Sequence, residues 1–182
     1  MPIREREPYV VRHGQGYSVF EHTSHGVSQE LLVFAPLERG LECAVLTQTN
    51  AMAAKLARPD REVVCLFGDG AFSLTGWDFE TMVRFDLPFI GVVGNNSYMN
   101  QIRYGQIQKY GEERGDVGNK LGDVKYDLFA KMLGGHGEEV REPKDIRPAL
   151  ERARESGKPS LINVWIDQNA FAPGTMNQTM YK

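Results

Sequence analysis

The sequence lacks the marks of several protein classes at once. Only two cysteines, Cys43 and Cys65, occur in 182 residues, too few for a disulfide framework. Cys65 lies inside an apolar run and reads as a buried thiol in a reducing, cytoplasmic setting. No apolar run approaches the roughly 18 residues a membrane helix needs. Basic residues are not in excess: 21 Lys and Arg against 24 Asp and Glu give a net charge of −3, so a nucleic-acid partner is not expected. The start, MPIREREPYVVRHGQGYSV, is charged and has no apolar centre, so a secretory signal is not expected either. Internal repeats and low-complexity tracts are missing too.

What remains is an ordinary globular composition, 41% apolar and 25% charged, in a chain long enough for one well-cored domain. From Ala51 onward helical and strand patterns alternate. Residues 51–58 (AMAAKLAR) are rich in helix formers and stop at Pro59-Asp60. Residues 62–67 (EVVCLF) and 88–94 (PFIGVVG) read as buried parallel strands. Between them, 77–85 (WDFETMVRF) has apolar residues at helical spacing. After a polar, glycine-rich stretch from Ser97 to Lys125, a helix is predicted over 126–133 and an extended run over 138–141. A second helix over 143–156 starts at Pro143 and ends at Gly157. A last strand spans 160–166. This order predicts an α/β fold, a parallel sheet with helices on both faces. The first fifty residues have no clear period; a strand over 29–34 and part of a helix over 41–46 are the readings they allow.

The chemistry-bearing residues sit where two of these strands end. Gly68-Asp69-Gly70 follows the first strand and precedes a helix, and ligands of such sheets bind outside the carboxyl ends of the strands. Glycines there let the backbone approach a phosphate, and a following helix offers free N–H groups to an anion. Asp69 adds the hard oxygen that magnesium prefers. The second strand brings Asn95-Asn96 to the same edge, where an amide oxygen can complete a metal shell without further negative charge. A tight turn and a loop start would explain each piece alone. Their spacing, some two dozen residues apart and each after a buried strand, favours a joint site.

These residues resemble a known family. GDGAFSLTGWDFETMVRFDLPFIGVVGNN resembles the thiamine-diphosphate motif, and the resemblance runs from about Ala51 to Lys182. It implies the thiamine-diphosphate-binding fold with thiamine diphosphate and Mg2+ as cofactors. It also implies metal binding by Asp69, by the Asn96 side chain and by the backbone carbonyl of Tyr98. Gly68, Gly70, Ala71 and Asn95 would line the diphosphate, while Tyr98, Met99 and Gln101 would face cofactor or substrate. The family includes acetolactate synthases, oxalyl-CoA decarboxylases and 2-hydroxyacyl-CoA lyases. NNSYMNQIRYGQ and the tail NAFAPGTMNQTMYK are similar to bacterial 2-hydroxyacyl-CoA lyases, including those acting on 2-hydroxyisobutyryl-CoA. Such enzymes cleave a 2-hydroxyacyl-CoA to formyl-CoA and an aldehyde or ketone. The resemblance makes residues 168–182 an active-site lid, a role their turn-forming Pro173-Gly174 and polar side chains suit.

Two departures narrow the expectation. The family's activating glutamate sits on a separate pyrimidine-binding domain, and none of Glu21, Glu30, Glu38 or Glu42 has a context for that role. The glycine-rich turn that normally precedes the helix at Ala51 reads AVLTQTN, from Ala44 to Asn50. Residues 1–50 therefore form an atypical segment, 51–167 the cofactor domain and 168–182 the tail. The expectation is a truncated product with a replaced N-terminal segment, inactive without a pyrimidine-binding domain in trans. Expected partners are that domain, a small acyl-CoA or 2-oxoacid substrate and further subunits of an oligomer. Two alternatives stand beside it: the small subunit of a split thiamine-dependent 2-oxoacid decarboxylase, and a non-catalytic fragment.

Other candidates have plainer explanations. His13, His22 and His25 match no compact zinc spacing. Arg103 and Tyr104 suit either an acyl-CoA contact or a solvated loop, and Glu112, Glu113, Arg114 and Asp116 a charged loop. Trp77 and Phe79 read as core or subunit-contact residues, and Cys65 is too buried for a nucleophile.

Overall fold

A computed structural model describes residues 9–13, 16–21, 29–33, 41–45 and 48–169. Strands β1 (Tyr9–His13), β2 (Gly16–Glu21) and β3 (Gln29–Val33) pair in sequence as an antiparallel sheet. The strand expected over 29–34 is thus β3. Residues 41–46, read as part of a helix, instead contain strand β4 (Leu41–Val45), which pairs in parallel with the next strand. Pairing with a neighbouring sheet edge overrides weak local propensity here.

The rest alternates helices and strands. Helix α1 spans Gln48–Ala57 and strand β5 Glu62–Gly68. Helices α2 (Asp69–Thr75) and α3 (Asp78–Arg84) lead to strand β6 (Ile90–Asn95). Helix α4 (Asn100–Tyr110) and a 3-10 turn at Glu112–Arg114 lie inside the polar, glycine-rich stretch from Ser97 to Lys125. Helix α5 (Tyr126–Met132), strand β7 (His136–Val140), helix α6 (Ile146–Ser156) and strand β8 (Ser160–Trp165) complete the order. Pro143 opens a 3-10 turn just before α6, and Gly157 ends that helix in the left-handed region.

The five-stranded sheet runs β4-β5-β6-β8-β7, every pair parallel. Alternation along the strands feeds two cores, one per face. Val63, Cys65, Phe67, Val93 and Leu161 pack on Phe72 of α2, Phe79 and Met82 of α3, and Tyr126 and Ala130 of α5. Ile90, Val140, Ile162 and Val164 on the opposite face pack on Ala149 and Ala153 of α6. This is the α/β sheet with helices on both faces that the sequence order predicts. Phe79 is fully buried and Trp77 is 70% exposed, so those two aromatic residues divide between core and surface.

One glycine decides how α5 sits. A Cβ on Gly137 would lie 2.0 Å from the backbone oxygen of Asp127, so only glycine lets the first turn of α5 settle on β7. Among the described residues no helix is long and apolar enough to cross a membrane.

Candidate functional site

Strands β5 and β6 lie side by side in register, with Phe67 opposite Val93 and Gly68 opposite Gly94. Their carboxyl ends therefore deliver Asp69 and Asn95-Asn96 to one place. Asp69 is buried at 3% exposure. Its Oδ1 accepts a hydrogen bond from the Gly70 amide at 2.8 Å and its Oδ2 one from the Asn96 amide at 3.1 Å. Desolvation pushes the Asp69 carboxyl above its ordinary value, against the pull of the amides of Gly70, Asn96, Ser97 and Tyr98. Among the described residues only neutral donors surround this buried carboxylate, so none of their side chains compensates its charge.

The second loop is shaped by its asparagines. Ser97 takes a left-handed backbone, φ 61°, costly for a residue with a Cβ. The Asn95 Oδ1 offsets that cost by accepting the Ser97 amide at 3.1 Å. The Asn95 Nδ2 donates to the Val124 carbonyl and to Asn163 Oδ1, each at 3.0 Å. All three polar contacts of this buried amide thus go to protein, and Asn95 acts here by setting the loop. Asn96 Oδ1 accepts the Tyr98 amide at 3.0 Å and retains a second lone pair. Tyr98 forms a bridge with Lys120, and the Met99 amide donates to the Asn119 carbonyl at 2.8 Å, which closes the excursion carrying α4 at its base.

The glycines differ in what they leave room for. Nothing lies within 4 Å of where a Gly68 Cβ would stand, whereas a Gly70 Cβ would meet Met99 Cγ at 3.1 Å. Gly68 therefore faces open space at the sheet edge and Gly70 lies beneath Met99. Ala71 follows on the exposed side of α2. Among the described residues no three His, Cys, Asp or Glu side chains converge as a metal site. A cation here would take one carboxylate, with amide, carbonyl and ligand oxygens for the rest. That donor set fits a hard ion such as Mg2+, and the open side of Gly68 fits an incoming phosphate.

The remaining candidates fall around this centre. Arg103 lies over the Tyr98 ring at 4.9 Å and binds Asp116 at 2.6 Å, so its charge is already paired. Tyr104 Oη donates to the Gln168 carbonyl at 3.2 Å, and Asn100 Nδ2 donates to the same oxygen. These two contacts fix where the C-terminal tail leaves α4. Residues 170–182 of the expected lid lie outside the described residues, as do His22, His25 and Glu38. Of His13, Glu21, Glu30 and Glu42 only the backbone is described. Gln101 is exposed, and Glu112, Glu113 and Arg114 form an exposed 3-10 turn. Cys65 is a fully buried cysteine. A groove of about 440 Å3 lined by Lys55, Phe89, Arg154 and Lys158 opens at the opposite, amino ends of the strands and contains none of the expected site residues.

Three contributors escaped the sequence reading: Val124, Tyr126 and Asn163. The Tyr126 hydroxyl donates to the Asp69 carbonyl at 3.2 Å, across 57 positions of sequence. No local pattern could reveal it.

Comparison with known proteins decides the family. Residues 38–164, more than half of the chain, match the thiamine pyrophosphate enzyme C-terminal TPP binding domain. The chain belongs to this family. Residues 1–56 also match the glycosyl hydrolase 94 supersandwich domain, over a minority of the chain. The chain is 42% identical over 127 residues to the acetolactate synthase large subunit IlvG of Mycobacterium tuberculosis, covering 70% of this chain and 23% of that protein. It is 35% identical over 132 residues to 2-hydroxyacyl-CoA lyase 2 of Homo sapiens, covering 69% of this chain and 20% of that protein. The chain thus spans about a fifth to a quarter of the length of these relatives.

Proposed function

We propose that this chain is the thiamine diphosphate and Mg2+ binding part of a carbon–carbon lyase acting on 2-hydroxyacyl-CoA, incomplete without a pyrimidine-binding domain. The observation that carries the proposal is the Asp69–Asn96 pairing at the carboxyl ends of β5 and β6, beside the open flank of Gly68. In this reading Asp69, the Asn96 Oδ1 and the Tyr98 carbonyl hold the metal. Gly68, Gly70, Ala71 and Met99 border the diphosphate, and Asn95 fixes the loop that presents Asn96 and Tyr98. When bound, thiamine diphosphate supplies a carbanion that adds to a carbonyl and an electron sink for carbon–carbon cleavage. The described residues of the site anchor and orient it.

The proposed division is an atypical N-terminal segment, the cofactor domain through residue 167 and a lid at 168–182 rooted at Gln168; the pairing of β4 with β5 and the family match from residue 38 favour starting that domain ahead of Ala51. The proposed partner, a pyrimidine-binding domain or another subunit, would cover apolar side chains now exposed, among them Leu74, Trp77, Leu128 and Met132. The buried thiol of Cys65 suits a reducing cytoplasm. A second reading, 2-oxoacid chemistry of the acetolactate synthase kind, is favoured by the 42% identity to IlvG.

Calorimetric titration with thiamine diphosphate and Mg2+ tests the proposal. Metal-dependent binding by the wild-type chain, lost in Asp69→Ala, supports it. A folded wild-type chain that binds neither cofactor would end it. Adding a pyrimidine-binding domain and comparing a 2-hydroxyacyl-CoA with a 2-oxoacid then separates the two chemistries.

A further inference from the structure

We propose that Tyr126, in the first turn of α5, is a positioning residue that aims the Asp69 carboxylate. The inference rests on the cofactor-site reading above and concerns what holds that site in shape. The Asp69–Gly70 peptide is gripped at both ends. Its carbonyl oxygen accepts from Tyr126 Oη at 3.2 Å and from Ser73 Oγ at 2.9 Å. Its N–H, on Gly70, donates to the Asp69 Oδ1 at 2.8 Å. The peptide is planar, so fixing the direction of its oxygen fixes the direction of its N–H. That N–H in turn sets the rotation of the Asp69 carboxylate, whose Oδ2 is left to meet the Asn96 amide at 3.1 Å.

Ser73 cannot do this alone. It stands one turn along α2 from Asp69 and moves with that helix, and its described side-chain contact beyond α2 is the Tyr126 hydroxyl itself at 3.5 Å, so the reference outside α2 is Tyr126 in either case. Tyr126 belongs to α5, which rests on β7 through Gly137. Its ring is buried and meets Phe72 edge-on at 5.0 Å, which fixes where the hydroxyl points. Two residues earlier in the chain, the Val124 carbonyl accepts the Asn95 amide at 3.0 Å. One short segment, 124–126, therefore registers both loops, the one carrying Asp69 and the one carrying Asn96. The distance between the metal's protein ligands is set from α5.

Tyr126→Phe keeps the ring and removes only the hydroxyl, so it isolates the role. The expected result in the ligand-free chain is amide hydrogen exchange about fivefold faster at Gly70 and Asn96. Leu161 and Ile162 in β8 should stay within about twofold of wild type. In titrations with thiamine diphosphate present, Mg2+ affinity should fall about tenfold, as when an outer-shell partner is lost. Unchanged exchange at Gly70 and Asn96 would overturn the proposal. So would a uniform rise that includes Leu161 and Ile162, because that would make the hydroxyl a plain stabiliser of the fold. Unchanged Mg2+ affinity in a variant whose wild type binds would overturn it as well. If the wild-type chain binds no cofactor, the functional reading falls, and the exchange comparison still decides whether Tyr126 holds the loop.

Discussion

The Asn96 amide donates to Oδ2 of Asp69 at 3.1 Å, so the ends of β5 and β6 are tied together through a carboxylate. A cation coordinated there would replace no salt bridge, because no Lys or Arg contacts Asp69 among the described ion pairs. Asp69→Ala is therefore expected to lower Mg2+-dependent affinity for thiamine diphosphate beyond the roughly 100-fold that outer-shell losses reach. Isothermal titration at fixed Mg2+ measures it, and a loss of less than about tenfold would count against Asp69 as a ligand.

Acid should act on this residue against the usual trend. Burial raises the Asp69 carboxyl above its ordinary 3.8, so the folded chain holds that proton more tightly than the unfolded one. The contribution to stability is fully present below the unfolded value and is lost as pH rises through the raised folded value. The stability of wild type minus that of Asp69→Asn should therefore fall as pH rises from about 3.8 and then level off. Denaturant titrations across that range test the sign. A difference that grows with pH would be the wrong sign.

At the far edge of the sheet the sign reverses. Desolvation would raise Glu138, but hydrogen bonds from Arg152 and His136 outweigh it and hold its carboxyl below 4.5. Its contribution is present above the unfolded value and disappears as pH falls through the lowered folded one. Wild type should be more stable than Glu138→Gln near neutrality, and the gap should close as the medium is acidified below 4.5. Thermal melts of the pair at matched ionic strength provide the comparison.

Two glycines should respond differently to the same methyl group. At Gly137 a Cβ would lie 2.0 Å from the Asp127 oxygen, which is backbone and cannot turn aside. At Gly157 space is open and only the φ of 63° is unfavourable. Gly157→Ala should cost about 1 kcal/mol, and Gly137→Ala clearly more, with α5 displaced. Equal unfolding midpoints in urea would refute the distinction.

Core aromatic residues set the scale for comparison. Phe79 is fully buried between α3 and the sheet, packed near Phe89 and Phe129. Phe79→Ala should cost about 3–5 kcal/mol, measurable by chemical denaturation.

How much of this was legible in the sequence follows from the range of each interaction. The apolar runs at 62–67 and 88–94 announce strands because they are local, and the glycines and asparagines at their ends mark the site for the same reason. Strand β4 was not legible. Leu41–Val45 has no decisive period, and its partner β5 lies beyond the intervening helix. Nor were the supports of the site. The contacts of Tyr126 with Asp69 and of Asn163 with Asn95 span 57 and 68 positions, and a tyrosine in an apolar helix face reads as core until its hydroxyl is located. Asn95 illustrates the limit most directly. The motif places it at the ligand, and only the fold reveals that its amide also binds Val124, Asn163 and Ser97.

Strand β7 pairs with β8 on one side only, which leaves its other backbone edge unpaired by any described strand. A bare edge of that kind is a template on which another chain can add a strand and begin to aggregate. Glu138 and Glu139 point to opposite faces of this strand, each held by arginine, Glu138 by Arg152 and Glu139 by Arg141. An incoming strand would have to lie alongside both charges and their partners. The same carboxylates that make the chain sensitive to acid thus keep its sheet finite, and acidification should remove both protections together.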